Sequence, residues 1–184
     1  MGVGKSSIAR DLAKYLVWNF VDLDSEVEAL SKQGINELTD REGLEAVRRT
    51  EELALGKIED QTKQVVALGA GTLLKSENLA LVRSSGLLIF LSAELKTLAE
   101  RLVGDTSKKR PLFGDYVTAV QDKSPNAEKA LMRQISSLLS ERLPTYVKAD
   151  LKIDTDGKSI RAITIETEKR LRQREQRAEP FEAP

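Results

Sequence analysis

Gly2-Val3-Gly4-Lys5-Ser6-Ser7, run directly into Ile8-Ala9-Arg10-Asp11-Leu12-Ala13, is the stretch that decides the fold. Ile8, Leu12, Ala13 and Leu16 fall on one face at helical spacing, so a glycine turn opens onto an amphipathic helix expected over Ser7–Leu16. The turn matches the second half of the pattern G-x-x-x-x-G-K-[ST], in which glycines let backbone N–H groups converge on phosphate oxygens. The helix N-terminus behind it adds positive potential. In that pattern Lys5 reaches the β- and γ-phosphates of a nucleotide and the Ser6 hydroxyl binds Mg²⁺. The competing reading, a plain helix-capping turn with a lysine in water, explains neither the serine after the lysine nor the paired glycines.

The pattern's first glycine and the strand that feeds the loop would lie ahead of Gly2. A strand in that place is central in a doubly wound sheet. Each Val, Leu or Ile left exposed without it forfeits about 1.5–3 kcal/mol, against a typical domain stability of about 5–15 kcal/mol. The natural chain is therefore expected to begin upstream.

Outward from the loop, extended and helical patterns alternate. Asn19–Val21 reads as a strand leading into Asp22-Leu23-Asp24, with Ser25 as the expected cap of a helix through Lys32. Gly34 breaks it before a short helix to Leu38, and Asp40 is the expected cap of a longer helix over Arg41–Ile58. Val65–Leu68, Leu87–Leu91 and Leu151–Asp154 are continuous apolar or near-apolar runs, which suit strands covered on both faces. Helices are expected near Glu77–Arg83, Ala93–Val103, Ala127–Arg142 and Ser159–Gln173, with a polar loop over Gly104–Pro125. The resulting expectation is an α/β fold: a three-layer parallel sheet with helices on both faces, its first, central strand absent from this chain. One domain is expected over residues 1–173, with a lid at about 104–126 and a disordered tail over 174–184.

Composition narrows the chemistry. Lysine plus arginine equals aspartate plus glutamate, 29 each, which gives no footprint for nucleic acid. With no cysteine and no histidine, thiolate and imidazole chemistry are excluded, and general-base work falls to a carboxylate or a lysine. No apolar run approaches the roughly 18 residues needed to span a bilayer. A soluble, cytoplasmic, monomeric protein without a membrane or nucleic-acid partner is expected.

Single motifs beyond the loop are weak alone. Asp22 and Asp24 serve equally well as helix-capping acids, and Arg48 with Glu51 as a surface i,i+3 pair. Taken in order, Asp22-Leu23-Asp24, Gly43…Val47-Arg48…Glu51, Gly69-Ala70-Gly71, Arg110-Pro111-Leu112 and Arg142-x-Pro144-x-Tyr146 resemble the shikimate kinase family along the whole chain except its tail. The departures are Val47 for a phenylalanine, Leu44 for a glutamate, Ala70 for the middle glycine of three, and a longer segment at Gly114–Asn126.

The resemblance implies a P-loop kinase fold of the nucleoside/shikimate kinase type and transfer of phosphate from ATP to a shikimate hydroxyl. By the same resemblance Gly2, Val3, Gly4, Lys5, Ser6, Ser7 and Arg110 bind ATP, Ser6 and Asp22 hold Mg²⁺, and Lys5, Asp24 and Arg110 are catalytic, with Asp24 as the base. Shikimate would be held by Asp24, Arg48, Gly69, Ala70, Gly71 and Arg142, the arginines taking its carboxylate. A gluconate kinase or other small-metabolite kinase of this fold, a binding protein that no longer catalyses, and a P-loop switch NTPase are the alternatives.

Overall fold

A computed structural model describes residues 2–58, 61–104 and 113–177. Helix α1 (Lys5–Leu16) starts at Gly4, whose φ of 85° lies in the left-handed region that only glycine enters at little cost. It buries Ile8, Ala9, Leu12 and Ala13, the face read from the sequence.

Strand β1 (Asn19–Asp22) runs straight into α2 (Leu23–Ser31). The cap is Asp22 rather than Ser25, because the Asp22 carboxylate accepts the Asp24 backbone N–H at 3.2 Å. The boundary between the short helix expected to Leu38 and the longer one expected from Arg41 lies instead at Gly43, between α3 (Ile35–Glu42) and α4 (Leu44–Ile58). Gly43, at φ 82°, makes the break: its N–H closes α3 on the Thr39 carbonyl and the chain turns before α4.

Strand β2 (Gln64–Ala67) leads through the glycine segment to a 3₁₀ turn at Thr72–Leu74, then to α5 (Ser76–Ser85) and β3 (Ile89–Ser92). Next come α6 (Leu95–Gly104), α7 (Gly114–Gln121), α8 (Ala127–Tyr146), β4 (Leu151–Asp154) and α9 (Ile160–Arg177). Helix α7 lies in the segment expected to be loop. Tyr116, Val117 and Val120 pack it against the cluster of Leu98, Leu102, Leu131 and Ile135, and tertiary burial overrides the polar composition. Helix α8 continues through Pro144 to Tyr146, and α9 through Arg177, so both outrun the ends read from the sequence.

The strands pair in parallel, β1 with β2 from Asn19↔Gln64 to Asp22↔Ala67, and β3 with β4 from Ile89↔Leu151 to Ser92↔Asp154. Among the described residues this makes two two-stranded sheets. A cavity of about 930 Å³ lies between them, lined by β2, β3 and apolar side chains such as Ile8, Leu12, Leu55 and Leu143. A strand residue covered on both faces occupies about 3.3 by 4.8 by 10 Å, close to 160 Å³, so the cavity has the volume of about six strand residues. Helix α1 packs on β1, β2 and α9, α2 on α4, and α6 on α8.

Candidate active site

The phosphate end is built by the turn before α1. Gly2 and Gly4 have φ of 63° and 85°, and a side chain on Gly2 would meet the Leu98 carbonyl and the Leu102 side chain at 3.2 Å. The turn is therefore held close against α6, where a side chain would be crowded. The first N–H groups of a helix have no intrahelical acceptor, and the first turn of α1 carries no acidic residue. Lys5, Ser6 and Ser7 thus stand at the positive end of a helix dipole that nothing nearby in sequence cancels. A pocket of about 340 Å³ adjoins this turn, lined by Gly4, Ser7, Arg101, Lys158 and Ser159 among others. Arg101 fastens one wall to the other by donating to the Thr155 hydroxyl and carbonyl, each at 3.0 Å.

The acceptor end gathers residues from widely separated elements. On α4, the Arg48 guanidinium donates to Glu51 Oε2 at 2.5 Å. Glu51 is only 3% exposed, and its Oε1 accepts the Thr72 hydroxyl at 2.7 Å. The glycine segment is moulded to these side chains. A Cβ on Gly71 would lie 2.0 Å from Arg48 Nη2. One on Gly69 would lie 2.8–2.9 Å from Glu51 Oε1, Thr72 Oγ1 and Asp24 Oδ1. Asp24, in the first turn of α2, therefore points at the same place as the buried Glu51–Thr72 pair.

From α8 come Arg142 and Tyr146. The Tyr146 hydroxyl donates to the Ala70 carbonyl at 2.6 Å, and its ring stacks tilted on Phe90 at 5.2 Å. Burial raises the Tyr146 pKa above its ordinary value, while the nearby Arg142 and Arg48 guanidinium groups act the other way. Arg142 is 6% exposed, and its Nε and Nη1 have no hydrogen-bond partner among the described residues. A buried guanidinium with unfilled donors is costly unless an anion completes it.

The structure thus brings Asp24, Arg48, Gly69, Ala70, Gly71 and Arg142 into one neighbourhood. Lys5, Gly69, Ala70 and Tyr146 all border the cavity between β2 and β3. Asp22 ends β1 at its C-terminal edge, where ligands of parallel α/β sheets bind. Arg110, with Pro111 and Leu112, lies outside the described residues. Glu51 and Tyr146 belong to the motifs without an expected role, and Thr72 and Asn78 carry no motif. Only their burial singles them out.

The donor set suits Mg²⁺ in one particular way. The described residues contain no group of three or more carboxylates, histidines or cysteines able to hold a metal alone. A Ser6 hydroxyl and one Asp22 carboxylate instead fit a hard cation that arrives with phosphate oxygens and keeps its waters.

Comparison with known proteins agrees with this geometry. The family described as Shikimate kinase matches residues 1–172. The shikimate kinase of Chlorobaculum tepidum is 36% identical over 181 residues, covering 96% of this chain and 89% of that protein. That of Geobacter sulfurreducens is 35% identical over 166 residues, covering 90% and 83%. Among solved structures, a shikimate kinase from Acinetobacter baumannii in complex with shikimate superposes with a TM-score of 0.79 at 24% identity, over 95% of this chain and 89% of that one. One from Bacteroides thetaiotaomicron gives 0.79 at 22%, over 94% of each chain. With a family match over nearly its whole length and the same α/β fold, the chain belongs to the shikimate kinase family.

Proposed function

We propose that this enzyme transfers the γ-phosphate of ATP to a hydroxyl of shikimate, giving shikimate 3-phosphate for aromatic amino-acid biosynthesis. The observation that carries the reading is Arg142: a buried guanidinium with Nε and Nη1 unfilled, close to Arg48 and Tyr146. That is a seat for a planar carboxylate, and arginine's fork meets one with two parallel bonds.

In this reading the turn from Gly2 to Ser7 cradles the ATP phosphates and Lys5 neutralises their charge. The nucleotide's outer part extends towards the pocket beside Arg101 and Lys158. Ser6 and Asp22 would hold Mg²⁺, which would supply charge neutralisation for the nucleotide phosphates. Shikimate rests its carboxylate on Arg48 and Arg142 and lies along the backbone of Gly69, Ala70 and Gly71. Asp24 accepts the proton of the attacking hydroxyl as the new O–P bond forms and the bond to ADP breaks. Arg110 closes over the transferring group with the lid at 104–126 and excludes water. The catalytic domain spans residues 1–173 and works as a cytoplasmic monomer.

A central strand completes the same reading. A strand added ahead of Gly2 would have room in the cavity between β2 and β3 and would feed the phosphate turn. The volume of about six strand residues and the free edges of two parallel pairs support it. An N-terminal extension carrying such a segment, with a glycine three residues ahead of Gly2, raises the melting temperature and slows amide exchange along β2 and β3. Unchanged exchange there removes the strand from the account.

Gluconate also carries a carboxylate that Arg48 and Arg142 could hold. ADP release with Mg²⁺-ATP is therefore measured with shikimate, gluconate and a nucleoside monophosphate in parallel. Stimulation by shikimate alone is expected. Stimulation by gluconate alone moves the enzyme to another substrate, and binding of shikimate without turnover points to a non-catalytic relative.

A further inference from the structure

Thr72 is fully buried, with 0% of its surface exposed. Its hydroxyl donates to Glu51 Oε1 at 2.7 Å, while Glu51 Oε2 takes Arg48 at 2.5 Å. The two oxygens of one buried carboxylate are thus divided between two donors. The Thr72 carbonyl in turn accepts the side-chain N–H of Asn78, itself 1% exposed, at 3.0 Å. A chain of buried hydrogen bonds therefore runs from the start of α5, through the 3₁₀ turn, to the Arg48 guanidinium.

We infer that Thr72 is a positioning residue for substrate binding: by occupying Glu51 Oε1 it confines Arg48 to Oε2 and sets the direction in which the rest of the guanidinium faces the acceptor site. The inference rests on the reading of Arg48 as a ligand of the substrate carboxylate. Without the hydroxyl, Glu51 has a free oxygen in a site that water does not reach. The strongest donor at hand is Arg48 itself, which has a second N–H in the same plane and pairs with a carboxylate in a bidentate fork. An arginine turned onto both oxygens of Glu51 has fewer N–H groups for a substrate. Gly71 leaves room for this movement to matter, since its missing side chain is what lets the guanidinium lie against the glycine segment. Thr72 also anchors the turn that follows that segment, its N–H reaching the Gly69 carbonyl at 3.4 Å. The links from Asn78 through Thr72 to Glu51 are buried, so loss of one member is felt by the others.

Thr72→Val keeps the shape and removes only the hydroxyl. Thr72→Ser keeps the hydroxyl and removes only the methyl. In steady-state assays of the full chain, T72V raises the KM for shikimate about tenfold, with kcat and the KM for ATP each within about twofold. T72S restores the wild-type KM, and Thr72→Cys, a weak donor of similar size, falls between them. Should T72V fail to fold, the serine and cysteine variants carry the comparison. Calorimetric titration of shikimate gives the same ranking without turnover. Equal KM values for T72V and wild type, or equal losses in T72S and T72V, overturn the inference, the second by assigning the effect to methyl packing. Wild type that neither binds nor turns over shikimate overturns the proposed function instead, so the two failures are separable.

Discussion

Gly71→Ala isolates the acceptor site from the rest of the protein. At Gly71 φ is −115° and ψ −2°, a backbone that alanine adopts without strain. The added methyl carbon would lie 2.0 Å from Arg48 Nη2, 2.7 Å from Cζ and 2.9 Å from Nη1, and these are its three nearest neighbours. Ordinary contact is about 3.5–4.0 Å, so the guanidinium must retreat by about 1.5 Å. The obstacle is the far end of a flexible side chain, so the chain still folds. A shift of that size disturbs the 2.5 Å bond to Glu51. It also withdraws the group proposed to hold the substrate carboxylate. A hydrogen bond to a charged group contributes about 1.5–3 kcal/mol, and 1.4 kcal/mol is a factor of ten. The KM for shikimate should therefore rise by roughly 10- to 150-fold, with the KM for ATP within about twofold. Because the clash is with Arg48, the same substitution in an Arg48→Ala background should add no further loss. A shikimate KM within twofold of wild type in G71A, or an additive loss in the double variant, refutes the reasoning.

Arg142→Ala should abolish measurable shikimate binding while leaving ATP binding intact, as read by calorimetry. Unchanged shikimate affinity removes Arg142 from the carboxylate clamp. Arg110→Ala should lower kcat by roughly 10³-fold or more with little change in ATP affinity, since arginines of this kind stabilise transferring phosphate. Small, equal effects on both count against a catalytic lid. Tyr146 gives a pH test. Its pKa is raised above 10.0 by burial, so the stability linked to its neutral form is fully present below about pH 10 and declines as pH rises through the folded-state value. The melting-temperature difference between wild type and Tyr146→Phe should therefore hold steady up to about pH 10 and shrink above it. A difference that grows with alkalinity contradicts the assignment.

The phosphate end was legible in the sequence because its signals are local. Glycines, a lysine and a serine at fixed offsets sit directly on an amphipathic helix, and the strands announce themselves as continuous apolar runs. The break at Gly43 was not legible, since an isolated glycine in a helical pattern is often tolerated, and only its φ of 82° reveals the turn. Helix α7 was hidden by polar composition, because its stability comes from packing on α8 and α6 rather than from propensity. The acceptor site divides the same way. Arg48 and Arg142 stand out only through the ordered motifs that resemble the shikimate kinase family. Glu51, three residues from an arginine on a helix, has the spacing of an ordinary surface pair, and its burial depends on Thr72 arriving from 21 residues away. Contacts of that range leave no periodicity to read. Helix capping failed for a related reason: Asp22 and Ser25 are both good caps, and the strand's end decided between them.

The most direct test of the central claim is phosphorus NMR of a mixture of this protein, Mg²⁺-ATP and shikimate. The account predicts loss of the γ-phosphate resonance in step with a new phosphomonoester signal bonded to the shikimate 3-oxygen, and none without shikimate. ATP consumed to inorganic phosphate alone, or ATP left intact, would contradict it.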